Sequence, residues 1–321
     1  MSLSKKKIVV IGGGNGSATM IRALKENLDR FDISAVVTVF DSGGSSGRLR
    51  EEFDTLPPGD ILRAVLAMSG DYDYGNFLKP LFYQTRLAGP GKLFKHNLGN
   101  LFLTLVAQYA GDFISAVRAL EQIIGAVGRV YPATLDRAHL AAELENGDKV
   151  YTEAKIDRPE YDKNIRIKKL SLSSAARIYP PAGEAIAAAD YIIFSTGSLF
   201  SSVIATILPD GFKAAFERFS GKLIYVAGNK YELDGETGPK RMGEALWTLE
   251  EYLPRKIDKL IFNTHKLNRR QKEYYAKKRW GVLRYNPEHV KRTSVVGENF
   301  EKTAGGLDTK KLGKIFKWEL I

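Results

Sequence analysis

Four turns in this sequence carry a set of hydrogen-bond donors suited to phosphate. Gly12-Gly13-Gly14-Asn15-Gly16-Ser17 follows the run Ile8-Val9-Val10-Ile11. Asp41-Ser42-Gly43-Gly44-Ser45-Ser46-Gly47-Arg48-Leu49-Arg50 follows the run Ala35 to Phe40. Thr196-Gly197-Ser198 comes after Tyr191 to Phe194, and Gly228-Asn229-Lys230 after Leu223 to Ala227. Glycines let backbone amides approach an anion closely, and a helix starting just beyond them is partially positive at its N-terminus. Serine hydroxyls and the Arg48 and Arg50 guanidinia add donors and charge. Such a set suits a diphosphate with polar substituents better than a nicotinamide, which wants an apolar slot. Gly12 and Gly14 nevertheless satisfy two of the three glycines of the dinucleotide fingerprint. Asp41 stands where an acid could hold a ribose hydroxyl, so NAD-dependent oxidation stays open as an alternative.

Two more segments place polar groups at helix starts. Pro57-Pro58-Gly59-Asp60-Ile61-Leu62-Arg63 reads as a rigid turn feeding a helix, with Asp60 as its N-cap candidate. His96-Asn97-Leu98-Gly99-Asn100 opens an apolar helix over 101–109, where the histidine and amides either cap the helix or read a base or sugar. The chain has no cysteine and four histidines. A thiolate nucleophile and a sulfur-based zinc site are thereby excluded, and a multi-histidine metal centre is disfavoured. Neither a G-x-S-x-G nucleophile elbow nor a lysine-bearing Walker loop occurs.

These turns need a scaffold that aligns them. A strand over Ile8 to Ile11, a helix over Ala18 to Leu28 and a strand over Ala35 to Phe40 make a βαβ unit, with parallel strands and a right-handed crossover. Strand-like runs recur at Tyr191 to Phe194, Leu223 to Ala227 and Leu260 to Phe262, separated by helical stretches such as Gly238 to Tyr252. The stretch from 60 to 124 is mostly helical in pattern. From 126 to 172 the texture changes: Asn146-Gly147, between Leu140 to Leu144 and Lys149 to Thr152, signals a type I′ hairpin, and Ile165 to Leu170 alternates apolar and basic residues. The expected fold is α/β: a Rossmann-like, doubly wound, mostly parallel sheet with a small antiparallel β excursion, in one domain spanning 1–321. The donor-rich turns would then share the carboxyl edge, where such sheets bind ligands.

A chain of 321 residues, 44% hydrophobic and 26% charged, suits a globular fold. No run approaches the ~18 apolar residues that span a bilayer, and Met1 to Lys7 leads straight into a strand with no signal-peptide pattern. A cytoplasmic protein without a membrane partner is expected. The formal charge is +11, concentrated between Arg255 and Arg292, where 13 basic residues face Asp258, Glu273 and Glu288. That segment either meets phosphates or is the solvated face of a helix over Lys266 to Lys278. Tyr274, Tyr275, Trp280 and Tyr285 are interleaved there without a DNA- or RNA-binding motif, so nucleic acid is not the expected partner.

Taken in order, Ile11 to Gly16, Val37 to Arg50, Pro57-Pro58-Gly59-Asp60, His96 to Asn100 and Gly197-Ser198-Leu199 resemble the CofD-like family over nearly the whole chain. That family holds the gluconeogenesis factors and the 2-phospho-L-lactate transferases. Gly43 to Arg50, Gly128 to Thr134 and Asn146-Gly147 resemble the gluconeogenesis-factor branch, and Tyr275 is similar to its ligand-contacting tyrosine. The resemblance to this branch implies a regulatory protein that binds a nucleoside-diphosphate sugar such as UDP-N-acetylglucosamine and influences carbon flow and cell-wall synthesis. The transferase branch implies transfer of a phospholactyl group from a guanosine diphosphate-linked donor to a deazaflavin, with Mg²⁺ held by acids. Asp41 and Asp60 would then be the metal or base candidates, Asp41 as the metal ligand. On either branch Gly12, Gly13, Gly14, Asn15 and Gly16 would shape a nucleotide pocket. Ser42, Gly43, Gly44, Ser45, Ser46, Arg48, Gly197 and Ser198 would donate to phosphates. Asn97, Asn100 and Asn229 would orient base or sugar, and Tyr275 would stack. The partner expected is a nucleotide or nucleotide sugar, with a homodimer also open.

Overall fold

Strand β1 (Lys6–Gly12) has no polar alternation in its second half because both of its faces are covered. In the computed structural model, which describes residues 4–70, 74–286, 288, 290 and 292–320, β1 lies inside a seven-stranded sheet. Residues 1–3 of the N-terminal run and Lys291 of the basic segment lie outside the described residues. The chain passes from β1 to β2 (Phe31–Val37) and then to β3 (Arg129–Pro132) at one edge. It returns to the other side of β1 through β7 (Tyr191–Phe194), β8 (Lys222–Ala227), β10 (Lys259–Asn263) and β12 (Ser294–Glu298). Every pairing in this sheet is parallel. Winding therefore reverses between β1 and β7, and the turns after those two strands diverge to opposite faces and leave a crevice.

Alternate residues feed two apolar layers. Val9, Ile11, Ile192, Phe194, Leu223 and Tyr225 enter one, while Ile8, Val10, Tyr191, Ile193, Ile224 and Val226 enter the other. The second layer is covered by α1 (Gly14–Lys25), α3 (Gly59–Ala67), α5 (Phe113–Ile123) and α11 (Thr309–Glu319). The first is covered by α7 (Pro180–Ala187), α8 (Phe212–Arg218) and α9 (Met242–Glu250), and by a π-helical segment, Leu199–Ile204. The expected helical region contains α3, the π-helical Tyr74–Gln84, α4 (Leu98–Ala110) and α5. Helix α2 (Gly44–Glu52) begins inside the second donor-rich turn.

Several boundaries differ from the sequence expectation. Helix α1 begins at Gly14, inside the glycine turn, and β2 stops at Val37, so Thr38 to Phe40 already belong to the next turn. Only part of the 126–172 excursion is separate: β3 joins the main sheet, while β4 (Leu140–Leu144), β5 (Lys149–Tyr151) and β6 (Ile167–Leu172) form the antiparallel sheet. The β4–β5 connection is not a type I′ turn. Gly147 alone has positive φ, the Gly147 amide donates to Leu144 O, and the Leu144 amide donates to Asp148 O. Three loop residues with a left-handed glycine make a type I turn with a bulge. A single turn, α6 (Glu153–Asp157), follows β5. Helix α10 (Arg269–Lys277) is set by a capping box of Asn268 and Gln271 and is shorter than expected. A two-stranded antiparallel ribbon pairs β9 (Lys230–Glu232) with β11 (Trp280–Val282). Among the described residues no helix is long and apolar enough to cross a membrane.

Candidate ligand-binding site

A cavity of about 1060 Å³ opens along the carboxyl edge of the sheet. Gly13 to Gly16 line it after β1, Asp41 and Gly43 to Ser46 after β2, Thr196 to Ser198 after β7, and Gly228 to Lys230 after β8. The four turns thus meet around one hollow. Close packing at the switch point explains one glycine: a Cβ on Gly16 would lie 1.4 Å from the Thr196 carbonyl oxygen. Gly12 stands behind the wall, and Ser42 is turned away, its hydroxyl accepting the Ala154 amide at 2.9 Å.

The cations of the site are not those expected. Arg48 is exposed and donates to Phe94 O at 2.7 Å, and Arg50 is buried with Nη2 2.5 Å from Ala138 O; neither lines the cavity. Helix geometry carries successive side chains around α2, so only its first turn faces the hollow. Arg22 of α1, Arg63 of α3, Lys79 and Lys302 converge on the cavity instead. Burial, then the charges of Arg22, Lys302 and Arg63, hold Lys79 below the usual lysine range. Arg22 lies over the Tyr74 ring and Arg63 over the Tyr83 ring, both at 4.8 Å. Like charges gathered this way are relieved by an anion, and the N-termini of α1 and α2 open into the same space.

Carboxylates occupy the wall as well. Asp60 is not an N-cap; it sits in the first turn of α3, buried, and accepts Arg63 Nη1 at 2.6 Å. Burial pushes its carboxyl up to about 6 against the pull of Arg63. Glu153 is pushed up to about 9 by burial and then by the charges of Asp41, Asp157 and Asp60, so it is protonated at neutral pH. Burial and Glu232 also raise Asp157, which accepts the Ser198 and Ser201 hydroxyls at 3.2 and 3.3 Å. Glu236, pushed to about 7 by burial, accepts the Phe200 and Ser201 amides at 3.0 and 2.9 Å. The helix start after β7 is therefore already served by protein acids, and the Ser198 hydroxyl points at one of them rather than at a phosphate. Asp41 Oδ1 accepts the Gly43 amide at 2.9 Å. Among the described residues no three acid or histidine side chains are arranged to hold a metal ion. The magnesium role expected for Asp41 would need further ligands from Asp60 or Glu153, and Asp60 already pairs with Arg63.

The amides divide. Asn97 accepts the Asn100 amide at 2.7 Å as the N-cap of α4 and does not reach the cavity. Asn100 and Asn229 do reach it, and Asn100 Oδ1, Asn229 Oδ1 and Thr38 Oγ1 are buried without a protein partner. Buried polar atoms are almost always paired, which makes these three ligand-contact candidates. The stacking role expected for Tyr275 is not possible in this arrangement. Its ring is buried, and its hydroxyl donates to Glu301 Oε1 at 3.0 Å, in a cluster that also ties down Asn229 and Asn263. Tyr274 and Trp280, edge to face at 5.7 Å, line the cavity in its place, although Lys230 covers the Trp280 ring at 3.6 Å. Among its described residues, the basic 255–292 segment reaches the site through Tyr274, Lys278, Trp280 and Leu283 alone; Arg269 instead pairs with Glu273 in solvent. Arg22, Lys79, Lys302 and Glu153 escaped the sequence reading because no motif links them. Arg63 had a signal, its i,i+3 spacing from Asp60.

Known proteins resemble this chain in sequence and in fold. A family model described as 2-phospho-L-lactate transferase CofD matches residues 8–300. A Thermotoga maritima protein provisionally named gluconeogenesis factor is 36% identical over 92% of this chain and 90% of its own. Gluconeogenesis factors of Listeria innocua and Bacillus subtilis are 32% and 37% identical, covering 95% and 73% of this chain and 91% and 70% of theirs. A crystal structure of a Bacillus halodurans protein superposes with a TM-score of 0.88 at 28% identity, covering 99% of this chain and all of the other. A family match over most of the chain, with relatives above 30% identity nearly end to end, places the chain in the CofD family, beside the gluconeogenesis factors.

Proposed function

We propose that this protein binds a nucleoside-diphosphate-linked ligand, UDP-N-acetylglucosamine being the leading example, and regulates carbon or cell-wall metabolism from the cytoplasm. The observation that carries this reading is the convergence of Arg22, Arg63, Lys79 and Lys302 beside the N-terminus of α1. A diphosphate satisfies both the charges and the helix amides. The same cavity keeps Asn100 Oδ1 and Asn229 Oδ1 free for a base or sugar. Its lining of charged and hydroxyl groups favours a nucleotide sugar over a nicotinamide. Thermal-shift assays with UDP-N-acetylglucosamine, GDP and NAD, with and without Mg²⁺, test the proposal. UDP-N-acetylglucosamine at a hundredfold excess over its Kd is expected to stabilise by about 2.7 kcal/mol. Stabilisation by NAD alone overturns the reading.

One observation favours a second reading, phospholactyl transfer. Asp41, Asp60, Glu153 and Asp157 share the cavity, and burial pushes Asp60 up to about 6, towards the range of a general base. Turnover of a guanosine diphosphate-linked donor would move the assignment there. Self-association is proposed through the exposed apolar residues Phe77 and Leu81 of the π-helical segment and Leu105 and Tyr109 of α4, with light scattering as the check.

A further inference from the structure

A second hollow, of about 250 Å³, opens away from the large cavity, between the C-terminal end of α2 and the small antiparallel sheet. Arg50 and His139 both line it. Arg50 is only 9% exposed; its Nη2 is satisfied by Ala138 O, but its Nη1 is buried with no partner in the protein. His139 Nδ1 is likewise buried and unpartnered. Leaving a donor of a buried cation unpaired is costly, more so than for a neutral group. Arg50 Nη1 therefore lacks an acceptor, and His139 Nδ1 can donate to the same one in the tautomer that carries its proton there. Ser173 also lines it, and because its Oγ accepts the His139 amide at 3.0 Å, its own proton stays free to donate.

We infer that this hollow is a second ligand site, for a small phosphate dianion held between Arg50 Nη1 and His139 Nδ1, either free or as the monoester of a compact molecule. The charges around it fit that role. Arg137 and Asp54 also line the hollow but pair with each other, so neither dominates the field. The exposed Glu51 carboxylate also lines the hollow and opposes an anion, so the Arg50 guanidinium has to outweigh it. Burial and the charge of Arg50 hold His139 below the usual histidine range, with Glu51 pulling the other way. A bound dianion therefore makes His139 easier to protonate. Helix α2 joins the two sites, since its first turn lines the large cavity and Arg50 lines this one.

With four histidines in the chain, the ring proton of His139 can be followed by NMR and assigned with His139→Gln. The titration uses the full chain at constant ionic strength, with inorganic phosphate in one arm and methyl phosphate in the other. The site predicts saturable movement of the His139 signal and a rise in its pKa of about one unit. Glu51→Gln should lower the half-saturating concentration, and Arg50→Gln should raise it about tenfold or more. The arm that saturates at lower concentration identifies free phosphate or a monoester. Phosphate bound in the large cavity leaves His139 unmoved, so the readout is local. A His139 pKa that stays constant up to ~50 mM of either anion overturns the inference, that limit being a millimolar-affinity ceiling. So does an unchanged half-saturation in Glu51→Gln, which holds the test even where Arg50→Gln fails to fold.

Discussion

Asp60 and Arg63 form a buried ion pair whose partners depend on each other. Removing the cation with Arg63→Gln leaves a buried carboxyl whose folded-state pKa rises further above its unfolded value of 3.8. A group raised in the folded state binds its proton more tightly there, so stability is lost as pH rises through the folded value. Arg63→Gln should thus cost about 3 kcal/mol at pH 8 and much less at pH 5, read from urea melts, with Asp60→Asn added to recover part of the loss. Gly16→Ala tests the switch point: its Cβ would overlap the Thr196 carbonyl, and a loss of about 2 kcal/mol or more is expected in the same assay. At this scale the glycine turns were legible, because close approach of backbone to backbone demands glycine. Arg22, Lys79 and Lys302 were not, since they come from three distant segments and meet only in the fold. Tyr275 was misread because adjacent tyrosines on a helix point in different directions, and Tyr274 is the one that faces the cavity.

The strands of the main sheet were legible as β-branched runs without polar alternation, and β1, β7, β8 and β10 follow them. Strand β3 was hidden, because Arg129-Val130-Tyr131-Pro132 is short and offers no such run. The single turn α6 was not expected at all, yet it sets Glu153 and Asp157 at i,i+4 spacing on the cavity wall. Glu153 is raised from 4.5 to about 9, so its contribution falls as pH climbs between those values. Glu153→Gln should therefore raise Tm by about 2 °C or more at pH 8 and leave it unchanged near pH 4, in melts across that range. A Tm that drops at pH 8 would mean that Glu153 is ionised and paired.

The whole molecule is tied together by sequence-distant elements. Helix α11 packs on α1, with Leu312 and Phe316 in the layer that holds Ile21 and Leu24, and Asn27 Nδ2 donates to Gly313 O at 2.9 Å. We propose that residues 1–321 form one domain, which predicts a single unfolding transition coincident by fluorescence and circular dichroism. Two separated transitions would divide it. The doubly wound plan was legible from the order of strands and helices, whereas the electrostatic character of the cavity was not. The +11 charge and the basic 255–292 segment drew attention to a region whose described residues contribute only Tyr274, Lys278, Trp280 and Leu283 to the wall. The central claim is that phosphates lie against Arg22, Arg63, Lys79 and Lys302 at the carboxyl edge. Calorimetric titration of UDP-N-acetylglucosamine into the natural protein, Lys302→Gln and Arg48→Gln tests it most directly. Saturable binding is predicted, about tenfold weaker in Lys302→Gln and unchanged in Arg48→Gln. Equal affinity in the natural protein and Lys302→Gln, or no saturable binding of any nucleoside diphosphate, would contradict it.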